Sequence, residues 1–180
     1  GARLIELLSH SDEYVRAWSV QFLCEDKKPS PKALERFNEL AKSDKSPVVR
    51  LYLAAALQRL SFEQRWSVLG SLAAHEEDVE DHNIPRMLWL ALEPMVPENQ
   101  AKALTLAVSS KMPKLQEFVP RRILGEVSTA KPKGSWQKVI KKVAPGFSVK
   151  NVGQGGVVSH AVFRNRPAVQ THPLKRGVPA

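Results

Sequence analysis

An internal repeat is the feature that most constrains what this 180-residue chain can fold into. Residues 12–16 and 44–50 hold similar phrases, each ending in an arginine and each followed by an apolar pattern with helical spacing. Weaker copies follow near residues 81–86 and 112–122. The corresponding arginines are 34, 36 and 35 residues apart, at positions 16, 50, 86 and 121. A period of this size is typical of helix pairs stacked as a solenoid.

Helix start signals support the repeat. Ser30-Pro31 and Ser46-Pro47 each place a serine N-cap before a proline at the first helical position, where its missing N–H costs nothing. A later helix is predicted to open at Pro97 and to bury Ala101, Leu104 and Val108.

The predicted fold class is therefore mainly α, an α-solenoid of about four helix pairs over residues 1–126. The surface used by such solenoids is lined mainly by the second helix of each pair. Those second helices are predicted to begin near Asp12, Ser46, Asn83 and Pro113.

The phrase Asp-x-x-Val-Arg, clearest from Asp12 to Arg16, resembles the signature of HEAT repeats. That resemblance implies that the aspartate caps the second helix and that the arginine ties neighbouring helices together. Asp12 and Arg16 also have the i,i+4 spacing of an ion pair on one helix face. Contact with an anion is the alternative role for the arginines. The residues assigned to structural stapling of the repeats are Asp12, Arg16, Asp44, Arg50, Asp81 and Arg86.

Charge is distributed unevenly along the chain. Residues 1–108 carry 13 Lys and Arg against 16 Asp and Glu, whereas residues 109–180 carry 14 Lys and Arg against two glutamates. The net charge of +9 therefore belongs to the second part, and it raises the question of an anionic partner. Residues 127–144 are interpreted as a basic linker with one short amphipathic helix. Its lysines are candidates for docking onto acidic surface such as the loop at residues 76–81: Lys138, Lys141 and Lys142.

Residues 145–180 are interpreted as the start of a β-rich domain that is truncated in this chain. Alternating apolar and polar residues predict strands within 147–152, 157–163 and 168–172. The glycine-rich residues 153–156 are expected to form a turn, since the Lys-Ser/Thr of a phosphate-binding loop is missing. The start of the chain shows neither an initiator Met nor a signal-peptide pattern, so we expect a fragment of a longer protein.

Several residues could carry chemistry, and each has a structural alternative. Residues 75–82 hold two histidines and five carboxylates, which could ligate a divalent metal or form a solvated loop in which Asp81 caps the next helix. Cys24 is expected to be structural, because the neighbouring carboxylates would raise the pKa of its thiol. His160 and His172 are expected to be turn or strand residues. Three tryptophans are expected to pack in the core, with a stacking platform as the alternative: Trp18, Trp66 and Trp89.

Composition excludes some classes of site. A single cysteine cannot form an intramolecular disulfide, a cysteine zinc cluster or a C-x-x-C-H haem attachment. The longest apolar run, residues 51–57, is far shorter than a membrane span. We therefore expect no cofactor and no metal in this chain.

The repeat phrases together resemble the HEAT region of the PVC-type haem-binding CxxCH proteins, a family of large exported bacterial proteins often labelled membrane-bound dehydrogenases. The resemblance implies a β-propeller and a cytochrome c domain in the parent protein, with haem c bound outside this chain, and a periplasm-like location. A free-standing chain would instead be cytoplasmic. No catalytic or haem-ligating residue of the family has a counterpart here. The phrases that carry the resemblance are residues 12–18, 24–26, 49–54, 81–85 and 92–94, with 164–166 and 171–174 more loosely.

The function predicted from these features is a non-catalytic scaffold that docks neighbouring domains or another protein. One alternative is a nucleic-acid-binding HEAT-like protein of the DNA glycosylase type, favoured by the net charge and by Arg86 near Trp89. A second alternative is that the chain completes a dehydrogenase site formed elsewhere in its parent.

Overall fold

Eight α-helices occupy the described part of the chain. The structure is a computed structural model that describes residues 1–129, 147–149 and 161–163. The helices are α1 (Ala2–Leu7), α2 (Glu13–Leu23), α3 (Pro31–Ser43), α4 (Pro47–Ala56), α5 (Phe62–Leu72), α6 (Ile84–Leu92), α7 (Gln100–Ser109) and α8 (Pro113–Thr129). Short 3₁₀ turns lie at Leu57–Arg59, Glu76–Asp78 and Glu93–Met95.

The helices form four pairs, as the repeat predicts. Helix α1 packs on α2, α3 on α4, α5 on α6 and α7 on α8. The second helices also contact one another in the order α2, α4, α6, α8, and the first helices α1, α3 and α5 do the same. This arrangement of two stacked layers is that of an α-solenoid, and the second helices begin where the cap and proline signals place them.

Local sequence explains where the helices start. The side chain of Ser30 accepts a hydrogen bond from the Ala33 amide, and Ser61 with Gln64 forms a capping box at the start of α5. These bonds satisfy amides that a helix start leaves without an internal partner.

One continuous hydrophobic core lies between the two layers. It includes Phe37, Leu53, Leu69, Leu88 and other buried apolar residues from every pair. Aliphatic residues at positions i, i+3 and i+4 of each helix put one apolar stripe toward this core.

The first residue of α7 and the set of residues that it buries differ from the prediction. It begins at Gln100 after the N-cap Asn99, because the Asn99 side chain accepts a hydrogen bond from the Lys102 amide. Leu104 is buried as predicted, but Ala101 is exposed and Val108 is 38% exposed. The predicted face was therefore wrong at these two positions.

Beyond the solenoid, the structure describes two short strands. Strands β1 (Phe147–Val149) and β2 (Ala161–Phe163) pair antiparallel, with Phe147 opposite Phe163. The predicted third strand, the Gly153 turn, the amphipathic helix with Lys138, Lys141 and Lys142, and His160 and His172 all lie outside the described residues. The β-rich domain stays a prediction, and α8 continues three residues past the predicted boundary at residue 126.

Candidate functional site

The start of each of the first three second helices is capped by a side chain. Asp12 Oδ1 accepts hydrogen bonds from the amides of Tyr14 at 2.8 Å and Val15 at 3.2 Å. Ser46 Oγ accepts one from Val49, at 3.4 Å. Asp81 Oδ1 accepts hydrogen bonds from the amides of Asn83 at 2.8 Å and Ile84 at 2.7 Å, at the start of α6. Asp12 and Asp81 are therefore engaged by backbone at their own helix starts.

Arg16 forms a bidentate ion pair with the next repeat. Its Nε and Nη2 donate to the two carboxylate oxygens of Asp44 at 2.8 and 2.9 Å, and Nη1 donates to the carbonyls of His10 and Ser11. Hydrogen bonding to Asp44 raises the pKa of Arg16. The expected i,i+4 pair with Asp12 was wrong, because the guanidinium reaches the neighbouring repeat and the Asp12 carboxylate caps its own helix.

Arg50 repeats this geometry one helix pair further along. Its Nε and Nη2 donate to Asp78 at 2.5 and 2.6 Å, and its Nη1 donates to the Asp44 carbonyl at 2.9 Å. The side chains of Arg50 and Asp78 are only 2% and 3% exposed. Hydrogen bonding to Asp78 raises the pKa of Arg50. Asp44 thus contacts both arginines, Arg16 through its carboxylate and Arg50 through its carbonyl. We call these two pairs the arginine ladder.

The structure does not bring Arg86 into the ladder. Arg16 and Arg50 each lie four residues after their capping residue, and the residue four positions after Asp81 is Pro85. Arg86 is exposed, and within the described residues no carboxylate forms an ion pair with it. When the repeats are aligned on their capping residues instead of on their arginines, the sequence shows that Arg86 lies one position too late.

The last pair uses a different side chain. Gln116, four residues after Met112, donates to the Ser110 carbonyl at 2.8 Å, as Arg50 does to Asp44. Arg121, which the repeat spacing singled out, pairs with Glu117 of its own helix at 3.0 Å.

Arg65 is a structural arginine that the sequence reading missed. It is 8% exposed and donates to the carbonyls of Leu60, Ala91 and Gln58 at 3.0, 3.1 and 3.3 Å. Burial lowers its pKa. Two of these carbonyls lie in or just after the 3₁₀ turn that follows α4, and that of Ala91 lies in the last turn of α6, where a cation is favourable. The Arg65 guanidinium also lies 4.9 Å from the centre of the Phe62 ring. Since its hydrogen-bond acceptors are all backbone carbonyls, no pattern of acidic residues predicts this role.

The acidic loop after α5 is tied into the fold. His75 Nε2 lies 2.8 Å from the Ala41 carbonyl, and Nδ1 lies 2.8 Å from Glu77 Oε1. A hydrogen bond from its own backbone, and then one from His75, lower the pKa of Glu77. Because Asp78 binds Arg50 and Asp81 caps α6, only some of the five carboxylates in this loop face solvent. Across the described residues, no group of three or more His, Cys, Asp and Glu could hold a metal ion.

An open groove of about 530 Å³ lies beside this loop, on the layer of first helices. Its lining includes Trp66, Ser67, Ser71 and His75. The ammonium of Lys102 lies 4.7 Å from the centre of the Trp66 ring. Both ring nitrogens of His75 are engaged by Ala41 and Glu77, so the imidazole is not placed as a base for either serine.

Cys24 is fully buried, and burial raises the pKa of its thiol to about 11. The carboxylate of Asp26 adds to this increase, while Arg59 opposes it. A thiol protonated at neutral pH and shielded from solvent is a poor nucleophile.

Exposed aromatic side chains mark one face of α2. Tyr14, Trp18 and Phe22, four residues apart, are 58%, 49% and 50% exposed. Trp18 stacks on Phe22 with ring centroids 5.7 Å apart, and it meets Tyr52 of α4 edge-on at 5.8 Å. The prediction that Trp18 packs in the core was wrong, whereas Trp66 and Trp89 are partly buried. We call Tyr14, Trp18 and Phe22 the aromatic patch.

The patch continues across the second helices as a row of large apolar side chains. Each lies six residues after Asp12, Ser46, Asp81 or Met112, and each is at least partly exposed. Phe118 of α8 also meets Trp89 of α6 edge-on, with centroids 5.3 Å apart. We call this set the apolar row: Trp18, Tyr52, Met87 and Phe118.

Comparison with known proteins shows a similarity over the first repeats. A family model described as HEAT repeats matches residues 1–82, which cover α1 to α5 and the loop that leads to α6. No curated protein and no solved structure gives a significant match to the chain. None of the helices in the described part combines the length and apolar character that a membrane crossing requires. Residues 1–82 are therefore similar to HEAT repeats.

The ladder predicts a large effect of Asp78→Ala on stability. The substitution removes the bidentate carboxylate of the buried Arg50 guanidinium and leaves it only the exposed Glu77, whose Oε1 lies 3.7 Å away. We therefore expect the free energy of unfolding to fall by about 3–5 kcal/mol. Glu80→Ala, an exposed carboxylate in the same loop, should change it by less than about 0.5 kcal/mol. Urea unfolding followed by circular dichroism measures both. Equal effects of the two substitutions would contradict the ladder.

Proposed function

We propose that this chain is a non-catalytic scaffold whose layer of second helices docks a neighbouring domain or another protein. The observation that carries the proposal is the aromatic patch, in which Tyr14, Trp18 and Phe22 are each about half exposed on one helix face. Contiguous exposed apolar surface of this kind marks interaction sites, and aromatic residues are enriched where binding energy concentrates. HEAT repeats typically mediate protein interactions, which supports the same function.

Rigidity of the surface supports docking as well. The arginine ladder joins the first three helix pairs through bidentate contacts, partly buried at Arg16–Asp44 and buried at Arg50–Asp78. A surface whose helices are fixed in register loses less conformational entropy when a partner binds.

The nucleic-acid alternative gains little support from the described residues. Arg16 and Arg50 direct their guanidinium groups at Asp44 and Asp78, so these two cations do not face outward toward phosphate. Arg86 stays exposed beside the apolar row. Binding of duplex DNA that falls steeply with salt would favour this alternative over protein docking.

Cross-linking in the full-length parent protein tests the docking surface. A photoreactive phenylalanine analogue at position 18 should give a discrete cross-linked product, because Trp18 lies at the centre of the aromatic patch. The control is the same analogue in place of Phe62, which is 39% exposed on the layer of first helices. Products of equal yield at the two positions, or no product at position 18, would contradict the proposal.

We further propose that the chain is part of a large exported dehydrogenase-like protein that binds haem c and carries its catalytic domains outside these 180 residues. The support is the set of sequence phrases that resemble the PVC-type family, notably residues 12–18 and 81–85. A periplasm-like location follows from the same resemblance. The basic residues Lys138, Lys141 and Lys142 would then dock acidic surface of the solenoid or of a neighbouring domain.

The coding sequence on either side of this segment tests the parentage. We expect a downstream C-x-x-C-H motif and a positive haem stain of the parent protein, together with no haem stain and no turnover in the isolated chain. A parent protein without that motif would contradict the assignment and leave the docking role unaffected.

A further inference from the structure

His75 is a titratable side chain that the docking function does not use, and it joins two helix pairs. It lies just after α5 of the third pair, and its Nε2 is 2.8 Å from the carbonyl oxygen of Ala41 in α3 of the second pair. Its Nδ1 is 2.8 Å from Oε1 of Glu77. The His75 side chain is only 13% exposed, so water has little room to replace either contact.

Both atoms that face the ring nitrogens are hydrogen-bond acceptors, and this sets the number of protons that the ring needs. A neutral imidazole has one N–H and can donate to only one acceptor, whereas the imidazolium ion donates from both nitrogens. In the neutral ring, the lone pair of one nitrogen would point at an oxygen lone pair of Ala41 or Glu77. The geometry therefore suits the doubly protonated ring.

The two acceptors are themselves suited to a cation. Ala41 lies in the last turn of α3, where carbonyls lack a donor within the helix and the helix end carries partial negative charge. A hydrogen bond from its own backbone, and then the one with His75, lower the pKa of Glu77, so this carboxyl group is ionised at neutral pH. Both partners thus stabilise a positive charge on the ring.

Other charged side chains lie on the elements around His75. Lys42 of α3 lines the same groove, so its charge opposes a positive charge on the ring. Arg50 of α4 lies 3.7 Å from Glu77 Oε1 and shares that carboxylate with His75. The full set on α3, α4, α7 and the loop is Lys42, Arg50, Lys102, Glu76, Glu77 and Asp78.

We infer that His75 is a proton-dependent tie between the second and third helix pairs. When the ring carries both protons, it joins the end of α3 to the loop at residues 75–81, which also holds Asp78 of the arginine ladder. When the ring is deprotonated, it loses one of its two hydrogen bonds, and the loop is held less firmly against α3 and α4. This role is independent of the docking function proposed above.

The direction of the pH effect follows from which form of the ring the fold binds. Because the folded chain binds the protonated ring, the stabilisation is present at acidic pH and is lost as the pH rises through the range in which histidines titrate, near pH 6.5. Glu77 has the opposite dependence, but its lowered pKa places its change of charge at more acidic pH than this range.

Hydrogen exchange of the full chain tests the tie. The backbone amides of Asp78, Val79 and Asp81 form hydrogen bonds within the loop and report on its order. After correction for the intrinsic dependence of exchange on pH, we expect their protection to fall by about 10-fold between about pH 5.5 and about pH 8, as loss of one charge-assisted hydrogen bond implies.

Matched variants at two histidines of the same segment assign the effect. His75→Gln removes the titrating ring, so the protection of these amides should no longer depend on pH. His82→Gln, at an exposed histidine that precedes α6, should leave the dependence as in the unaltered chain.

Nitrogen-15 NMR of the histidine rings gives a second readout in the unaltered chain. We expect His75 to keep protons on both ring nitrogens to a higher pH than His82 does. Three outcomes would overturn the inference: loss of the second proton at the same pH in both rings, loop protection that does not change with pH, or a pH dependence that persists in His75→Gln.

Discussion

Two bidentate arginine–aspartate pairs determine how successive helix pairs stack. Arg16 reaches Asp44 and Arg50 reaches Asp78, each partner 28 residues further along the chain. A buried ion pair contributes little net stability compared with well-packed apolar residues, but a buried charge that loses its partner costs several kcal/mol. The ladder therefore acts mainly on specificity. A slip of one helix pair along its neighbour would leave a guanidinium and a carboxylate unpaired in the core.

The docking surface depends on this fixed register. Asp44 contacts Arg16 of the first helix pair through its carboxylate and Arg50 of its own pair through its carbonyl, and Arg50 in turn reaches Asp78 of the third pair. With the second helices held in step, Trp18 and Tyr52 meet at 5.8 Å and form the first part of a row that runs across the layer. The arginine ladder inside the solenoid thus fixes the positions of the apolar side chains on its surface.

Local signals made the helix starts predictable, and long-range contacts did not. Caps such as Ser46 act within three residues, so the sequence locates most of them, although the cap Asn99 of α7 was missed. Which carboxylate pairs with Arg16 depends on stacking, and the sequence suggested Asp12 instead of Asp44. An alignment of arginines chose Arg86, although Pro85 occupies the equivalent position. The helical spacing of apolar residues also does not show whether a neighbouring helix covers a given face. For this reason Trp18 was expected in the core.

A double-mutant cycle on Arg50 and Asp78 tests the central claim most directly. The free energy of unfolding would be measured in urea for Arg50→Met, Asp78→Leu and the double variant. The ladder predicts a coupling energy of at least about 2 kcal/mol and a double variant more stable than either single one, because each single substitution strands a buried charge. Effects that add to within about 0.5 kcal/mol would show that the pair does not set the stacking.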